Sequence, residues 1–133
     1  MADVVVDTHI VIWYFADSTQ LSKPAEIAID SAAANGTIFV SSITIVELIY
    51  LNEKRKIPAD VLDLLRNALD DSATAFHMVE INREIADEVE NIPRQTVADM
   101  PDLIISAKAL HLNLPLITKD NKIRALQSIQ TIW

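Results

Sequence analysis

Apolar residues along the chain gather into short runs separated by polar turns and by stretches with helical spacing. Val4-Val5-Val6 has no polar alternation, so Ala2 to Val6 predicts a strand buried on both faces. Ile38 to Ser41, Ala75 to Ile81, Leu116 to Thr118 and Thr131-Ile132 predict further short strands. Between them come helices. Ile10 to Phe15 continues the first strand as a short one. Ser22 is an N-cap, with Pro24 in the first turn, for a helix that Asn35-Gly36 stops. Ile43 to Glu53 predicts a third. Pro58 opens a fourth with Val61, Leu64, Leu65 and Ala68 on its apolar face. Asn82 caps a fifth in which Ile85 and Val89 turn inward, Pro101 to Leu112 is a strongly apolar sixth, and Asn121 to Leu126 a short last one. Short buried strands alternating with helices predict an α/β fold, a mostly parallel sheet with helices on both faces. With no repeat, linker or low-complexity segment, residues 1–133 are expected to form a single domain.

Acidic residues punctuate this pattern at four places: Val4-Val5-Val6-Asp7, Ile43-Thr44-Ile45-Val46-Glu47, Asp99-Met100-Pro101-Asp102-Leu103-Ile104-Ile105 and Leu116-Ile117-Thr118-Lys119-Asp120. Apolar runs end up inside, and a carboxylate does not follow them without a partner. Asp7 read alone is a helix cap. Glu47 is different, because its neighbours three and four positions away are Ile43, Thr44, Tyr50 and Leu51, so it lies on an apolar stripe. Asp99 as N-cap and Asp102 in the first turn suit a helix dipole, and the same spacing projects both to one side. Asp120 serves equally as a cap for the helix from Asn121. Four such sites from the first strand to the last point to carboxylates gathered in one pocket, which a divalent cation would hold together. In a parallel sheet that pocket lies beyond the carboxyl ends of the strands. Asp63, Asp70, Asp71, Glu84, Asp87, Glu88 and Glu90 read instead as solvated charges on polar helix faces.

Composition narrows the chemistry. There is no cysteine, which removes disulfides, thiolate zinc sites and cysteine nucleophiles and suits a cytoplasmic location. Gly36 is the one glycine, too few for a phosphate-cradling loop or a dinucleotide fingerprint. His9, His77 and His111 show no metal-ligand spacing and read as core-edge or surface residues. Oxygen ligands remain, and these suit Mg²⁺ or Mn²⁺. No apolar stretch reaches the ~18 residues of a membrane span. The formal net charge of −8 repels polyanions, so a nucleic-acid substrate would depend on the cation and on local basic groups, Lys54-Arg55-Lys56 and Lys119, Lys122 and Arg124. Taken alone, both groups read as solvated helix ends.

In their order, Val-Val-Asp-Thr-His, Ser-Ser-Ile-Thr-Ile-Val-Glu-Leu, Asp-Met-Pro-Asp-Leu-Ile-Ile-Ser-Ala-Lys-Ala and Leu-Ile-Thr-Lys-Asp resemble the PIN domain, and within it the VapC-type toxins of bacterial toxin–antitoxin pairs. The resemblance spans residues 4–120. It implies a three-layer α/β/α sandwich and a metal-dependent ribonuclease leaving 5′-phosphate and 3′-hydroxyl ends. Asp7, Glu47, Asp102 and Asp120 would form the acidic pocket, with Asp99 as a further metal-binding carboxylate. Thr118 would support the last carboxylate, and Thr8 or Ser42 would do similar work. A cognate VapB-like antitoxin and a homodimer built near residues 43–70 are implied as partners. Many relatives carry arginine directly after the third aspartate, where this chain has Leu103, which puts substrate grip in question. Two rivals stand beside this reading. A phosphoacceptor signalling domain would want two acidic residues after the first strand, whereas Thr8 and His9 follow Asp7. A PIN-like binding module without activity would not need acids at all four positions.

Overall fold

A computed structural model describes residues 2–133. Five parallel strands form one sheet: β1 (Val4–Val6), β2 (Ile38–Ser41), β3 (Phe76–Val79), β4 (Leu116–Ile117) and β5 (Thr131–Ile132), in the order β3-β2-β1-β4-β5. Val5 pairs with Phe39 on one side and Leu116 on the other, so β1 is the centre of the sheet. Among the described residues seven α-helices accompany it: α1 (Thr8–Phe15), α2 (Lys23–Asn35), α3 (Ser42–Glu53), α4 (Val61–Asp70), α5 (Arg83–Glu88), α6 (Met100–Leu112) and α7 (Asn121–Arg124), with a 3₁₀ turn at Val89–Asn91.

Strand alternation sorts the core into two layers. Val4, Val6, Ile38, Val40 and Ile117 point to one face and pack with Ile10, Ile29, Leu62 and Leu65 from α1, α2 and α4. Val5 and Leu116 point to the other and pack with Ile85, Leu103, Ile105 and Ile123 from α5, α6 and α7. Both faces are covered, which gives the three-layer α/β/α architecture expected from the sequence.

Boundaries differ from those expected, for local reasons. α1 begins at Thr8 and α3 at Ser42, each directly after its strand, because Asp7 and Ser41 serve as N-caps. α4 begins at Val61 rather than Pro58, and its buried face is Val61, Leu62 and Leu65; Leu64, expected inside, is 38% exposed. The true stripe is offset because Leu62 takes the core position. Val89 is half-buried in the 3₁₀ turn rather than in a continuous helix. β3 runs over Phe76–Val79 instead of Ala75 to Ile81; it is an edge strand, with Ile81 exposed beyond it. β1 starts at Val4, and α7 stops at Arg124.

The chain moves from β1 outward to β2 and β3, then crosses to β4 and β5 on the far side. The order therefore reverses between β1 and β4. At such a switch point the loops leaving two adjacent strands part to opposite faces and open a crevice. Asp7 leaves β1 there, and Thr118 leaves β4 beside it.

Candidate active site

The crevice is a cleft of about 600 Å³ lined by Asp7, Thr8, His9, Trp13, Glu47, Asp99, Asp102, Lys119, Asp120 and Asn121. All five carboxylates singled out in the sequence lie in this one lining. Three arrive as helix caps, one in a first helical turn and one from mid-helix. The side chain of Asp7 caps α1, Oδ1 accepting from the Ile10 amide at 3.0 Å. Asp99 caps α6 by accepting from the Asp102 amide at 3.2 Å, and Asp102 follows in the first turn. Asp120 caps α7, accepting from the amides of Lys122 and Ile123 at 2.8 and 3.0 Å. Glu47 comes from the middle of α3. Capping and clustering are thus one arrangement: helix starts at the carboxyl ends of parallel strands aim their caps into the same space.

Hydroxyls hold the carboxylates. Thr118, fully buried, donates to Asp7 Oδ2 and accepts from the Asp120 amide at 3.0 Å, tying the ends of β1 and β4 together. Thr8 donates to Glu47 Oε1 at 2.5 Å, and its oxygen lies 3.0 Å from that of Thr44, also fully buried. Ser42, expected in this supporting role, makes no hydrogen bond to these carboxylates among the described residues; Ser41 is used up as the cap of α3. Thr44 stands where Ser42 was expected, because a helix beginning at Ser42 puts residue 44, not 42, opposite Thr8. Its signal was its place three residues before Glu47 on the same stripe.

The charge of His9 offsets only part of the burden on Asp7 and Glu47, and among the described residues no ion pair reaches the cluster. The ion pairs among the described residues lie elsewhere, at Lys23–Glu26, Arg83–Asp87 and His111–Glu84. Burial lifts Asp7 above the ordinary aspartate range, against the hydrogen bonds from Thr118 and Ile10 that favour its charge. Glu47 is raised too, first by burial, with Thr8 opposing and the charge of Asp99 adding. Asp102 is pushed up to about 7, first by burial and then by the charges of Asp99, Asp120, Asp7 and Glu47. The side chains as they stand bring no three acidic or histidine groups close enough to share one ion directly, among the described residues. Their donors are all oxygens, the set that a hard divalent cation takes. His9, Trp13, Lys119 and Asn121 also line the cleft. His9, which the sequence presents as a core-edge or surface residue, and Lys119, one of its local basic groups, are thus brought to the carboxylates, and Trp13 follows His9 by one helical turn.

The PIN domain family model matches residues 4–128, and the chain belongs to the PIN domain family. It is similar over its whole length to Ribonuclease VapC22 of Mycobacterium tuberculosis, 28% identical over 135 aligned positions covering 100% of both chains. Among solved structures it superposes on VapBC2 of Rickettsia felis bound to a DNA fragment from its promoter, with a TM-score of 0.72, 18% identity, and 97% and 96% of the two chains covered. It likewise matches a toxin–antitoxin complex of Klebsiella pneumoniae, with a TM-score of 0.67, 23% identity, and 95% and 94% covered.

Proposed function

We propose that the chain is a single-domain, divalent-cation-dependent endoribonuclease, working in the cytoplasm as the toxin of a toxin–antitoxin pair. The observation that carries this is the set of five carboxylates, with no ion pair among the described residues, at the switch point of a parallel sheet in a PIN-domain chain. Full-length similarity to a named ribonuclease supports the substrate, and the complexes among its structural neighbours support the antitoxin.

Asp7, Glu47, Asp102 and Asp120, with Asp99 beside them, would hold Mg²⁺ or Mn²⁺. Mg²⁺ takes one or two carboxylates directly and keeps several waters, which suits acids that do not close on a single point. Bound there, such an ion supplies a water of lowered pKa and positive charge against the charge that builds on a cleaving phosphodiester. The chain's own part is to hold the ligands in place. Thr118 fixes one oxygen of Asp7 while Ile10 fixes the other, and Thr8 fixes Glu47. Asp102, pushed up to about 7 by burial and then by its acidic neighbours, would give up its proton more readily with a cation bound than without one at the same pH.

Purified protein given RNA should cleave it with Mg²⁺ or Mn²⁺ and stop in EDTA. Asp7→Asn should slow cleavage by about a hundredfold or more, on the scale of losses at metal sites. Cleavage that persists undiminished in Asp7→Asn would remove the cleft from the reaction. In cells, expression of the chain should slow growth and co-expression of the antitoxin should restore it, while Asp7→Asn should be harmless. The antitoxin would present a basic segment to the acidic cleft, with an arginine pairing a carboxylate through two hydrogen bonds. Val46 and Tyr50, 48% and 62% exposed on α3, and Leu64 on α4 give the apolar surface for a second copy. A mass that stays monomeric across concentration in light scattering would exclude that dimer.

A further inference from the structure

Both tryptophans of the chain sit in one cluster beside the acidic cleft. Trp13 lines the cleft one helical turn after His9, with ring centroids 5.7 Å apart. Trp133, which follows β5, lies 5.8 Å from Trp13, the indoles tilted by 49°. The Lys119 ammonium rests over both, 5.7 Å from the Trp13 ring and 5.8 Å from that of Trp133. Three distant stretches of sequence, α1, the loop after β4 and the chain after β5, thus converge on one aromatic and cationic patch. The indoles pack one side on the core yet stay half-exposed, while His9 and Lys119 are exposed.

The patch solves a problem that the cleft creates. Five carboxylates repel a polyanion, and Lys119 is the single lysine or arginine in the lining among the described residues. Ammonium over an exposed indole is held weakly, so it can be exchanged at little cost. An indole face, in turn, takes any unpaired nucleobase by stacking, without reading its identity. A duplex keeps its bases stacked inside and offers no such face.

Resting on the ribonuclease reading, we propose that His9, Trp13, Lys119 and Trp133 form a subsite for one unpaired nucleotide next to the scissile bond. The base replaces the ammonium on Trp13. Lys119, still against Trp133, turns to that nucleotide's phosphate. The enzyme therefore cuts single-stranded segments in preference to duplex, with little base preference at this position.

Because no other tryptophan is present, tryptophan emission excited beyond the absorption of Tyr14 and Tyr50 reports on the patch alone. Asp7→Asn protein in Mg²⁺ should be quenched by a single-stranded decaribonucleotide and far less by the same sequence in a duplex. In cleavage assays of the otherwise unaltered chain, Trp13→Leu should raise KM about tenfold with kcat near the parent value, the scale of one lost stacking contact. Trp13→Phe should recover most of it. Lys119→Met should also raise KM and flatten its salt dependence by about one phosphate contact. Folded Trp13→Leu with parental KM, or equal quenching by duplex and single strand, overturns the subsite. If Trp13→Leu does not fold, the quenching comparison and Lys119→Met decide. Quenching by single-stranded RNA without cleavage by the parent would sink the ribonuclease reading and leave the subsite standing. Cleavage with no quenching and unaltered KM would do the reverse.

Discussion

Asp102 is the acid whose charge is least provided for. It has four acidic neighbours, and no hydrogen bond offsets its burial. Its ordinary value of 3.8, kept in the unfolded chain, rises to about 7 in the fold. Between those values the folded protein holds a proton that the unfolded chain has lost, so stability without metal falls as pH rises from about 4 to 7 and levels off above. Asp7 and Glu47, also raised, add in the same direction. Urea unfolding in EDTA should therefore show greater stability at pH 5 than at pH 8. Asp102→Asn should remove about 1–2 kcal/mol of that difference, once solvent screening at the open cleft is allowed for. Equal stability of parent and variant at pH 8 would contradict the crowding. Thr118→Val tests the opposite case. It takes a donor from a buried carboxylate and should cost about 1–3 kcal/mol, whereas Thr118→Ser keeps the hydroxyl and should cost less. Denaturant midpoints at equal slope give the comparison.

At the scale of elements, the cleft depends on where helices start. α1 and α3 begin directly at their strand ends because Asp7 and Ser41 cap at once, and this puts Thr8 opposite Thr44 and Glu47. The other end of the sheet is as tightly set. Gly36 closes α2 with a negative φ of −153°. It is the absence of a side chain that matters, since a Cβ there would stand 2.8 Å from Asp3 Oδ1 and 2.9 Å from the Ala2 carbonyl carbon. Asp3 in turn accepts from the Thr37 amide at 2.9 Å, guiding the chain into β2. Gly36→Ala should cost about 1–3 kcal/mol through overpacking, read as a lower midpoint in thermal or urea unfolding. A neutral result would mean that the α2–β2 turn shifts freely.

For the whole molecule, charge and fold oppose each other. A net charge of −8 with five acids in one cleft makes the metal-free protein self-repelling where its strands meet. A cation that binds only the folded form should relieve this. Mn²⁺ or Mg²⁺ at about a hundred times Kd should add about 2.7 kcal/mol, visible as a rise in Tm that EDTA reverses. Asp7→Asn should lose most of that rise, and an equal rise in parent and variant would place the ion outside the cleft. Among the described residues no helix is long and apolar enough to cross a membrane.

The sequence by itself determined the order of strands and helices, the burial of both sheet faces and the five acids, because these follow from local runs of apolar residues and from caps that act within three residues. Glu47 was legible as an acid on an apolar stripe, and Thr118 and Thr8 through resemblance. Only the tertiary structure decided what meets across the sheet. Nothing local says that Thr118 reaches Asp7, 111 residues away, or that Thr44 rather than Ser42 stands behind Thr8. Leu103 packs inside the core at 6% exposure, so this chain gives that position to packing. Lys119, Trp13 and Trp133 become one surface because β1, β4 and β5 are adjacent in a sheet whose order is not that of the chain. Long-range pairing is set by how the whole set of apolar faces can be covered at once, and no window of the sequence contains that condition.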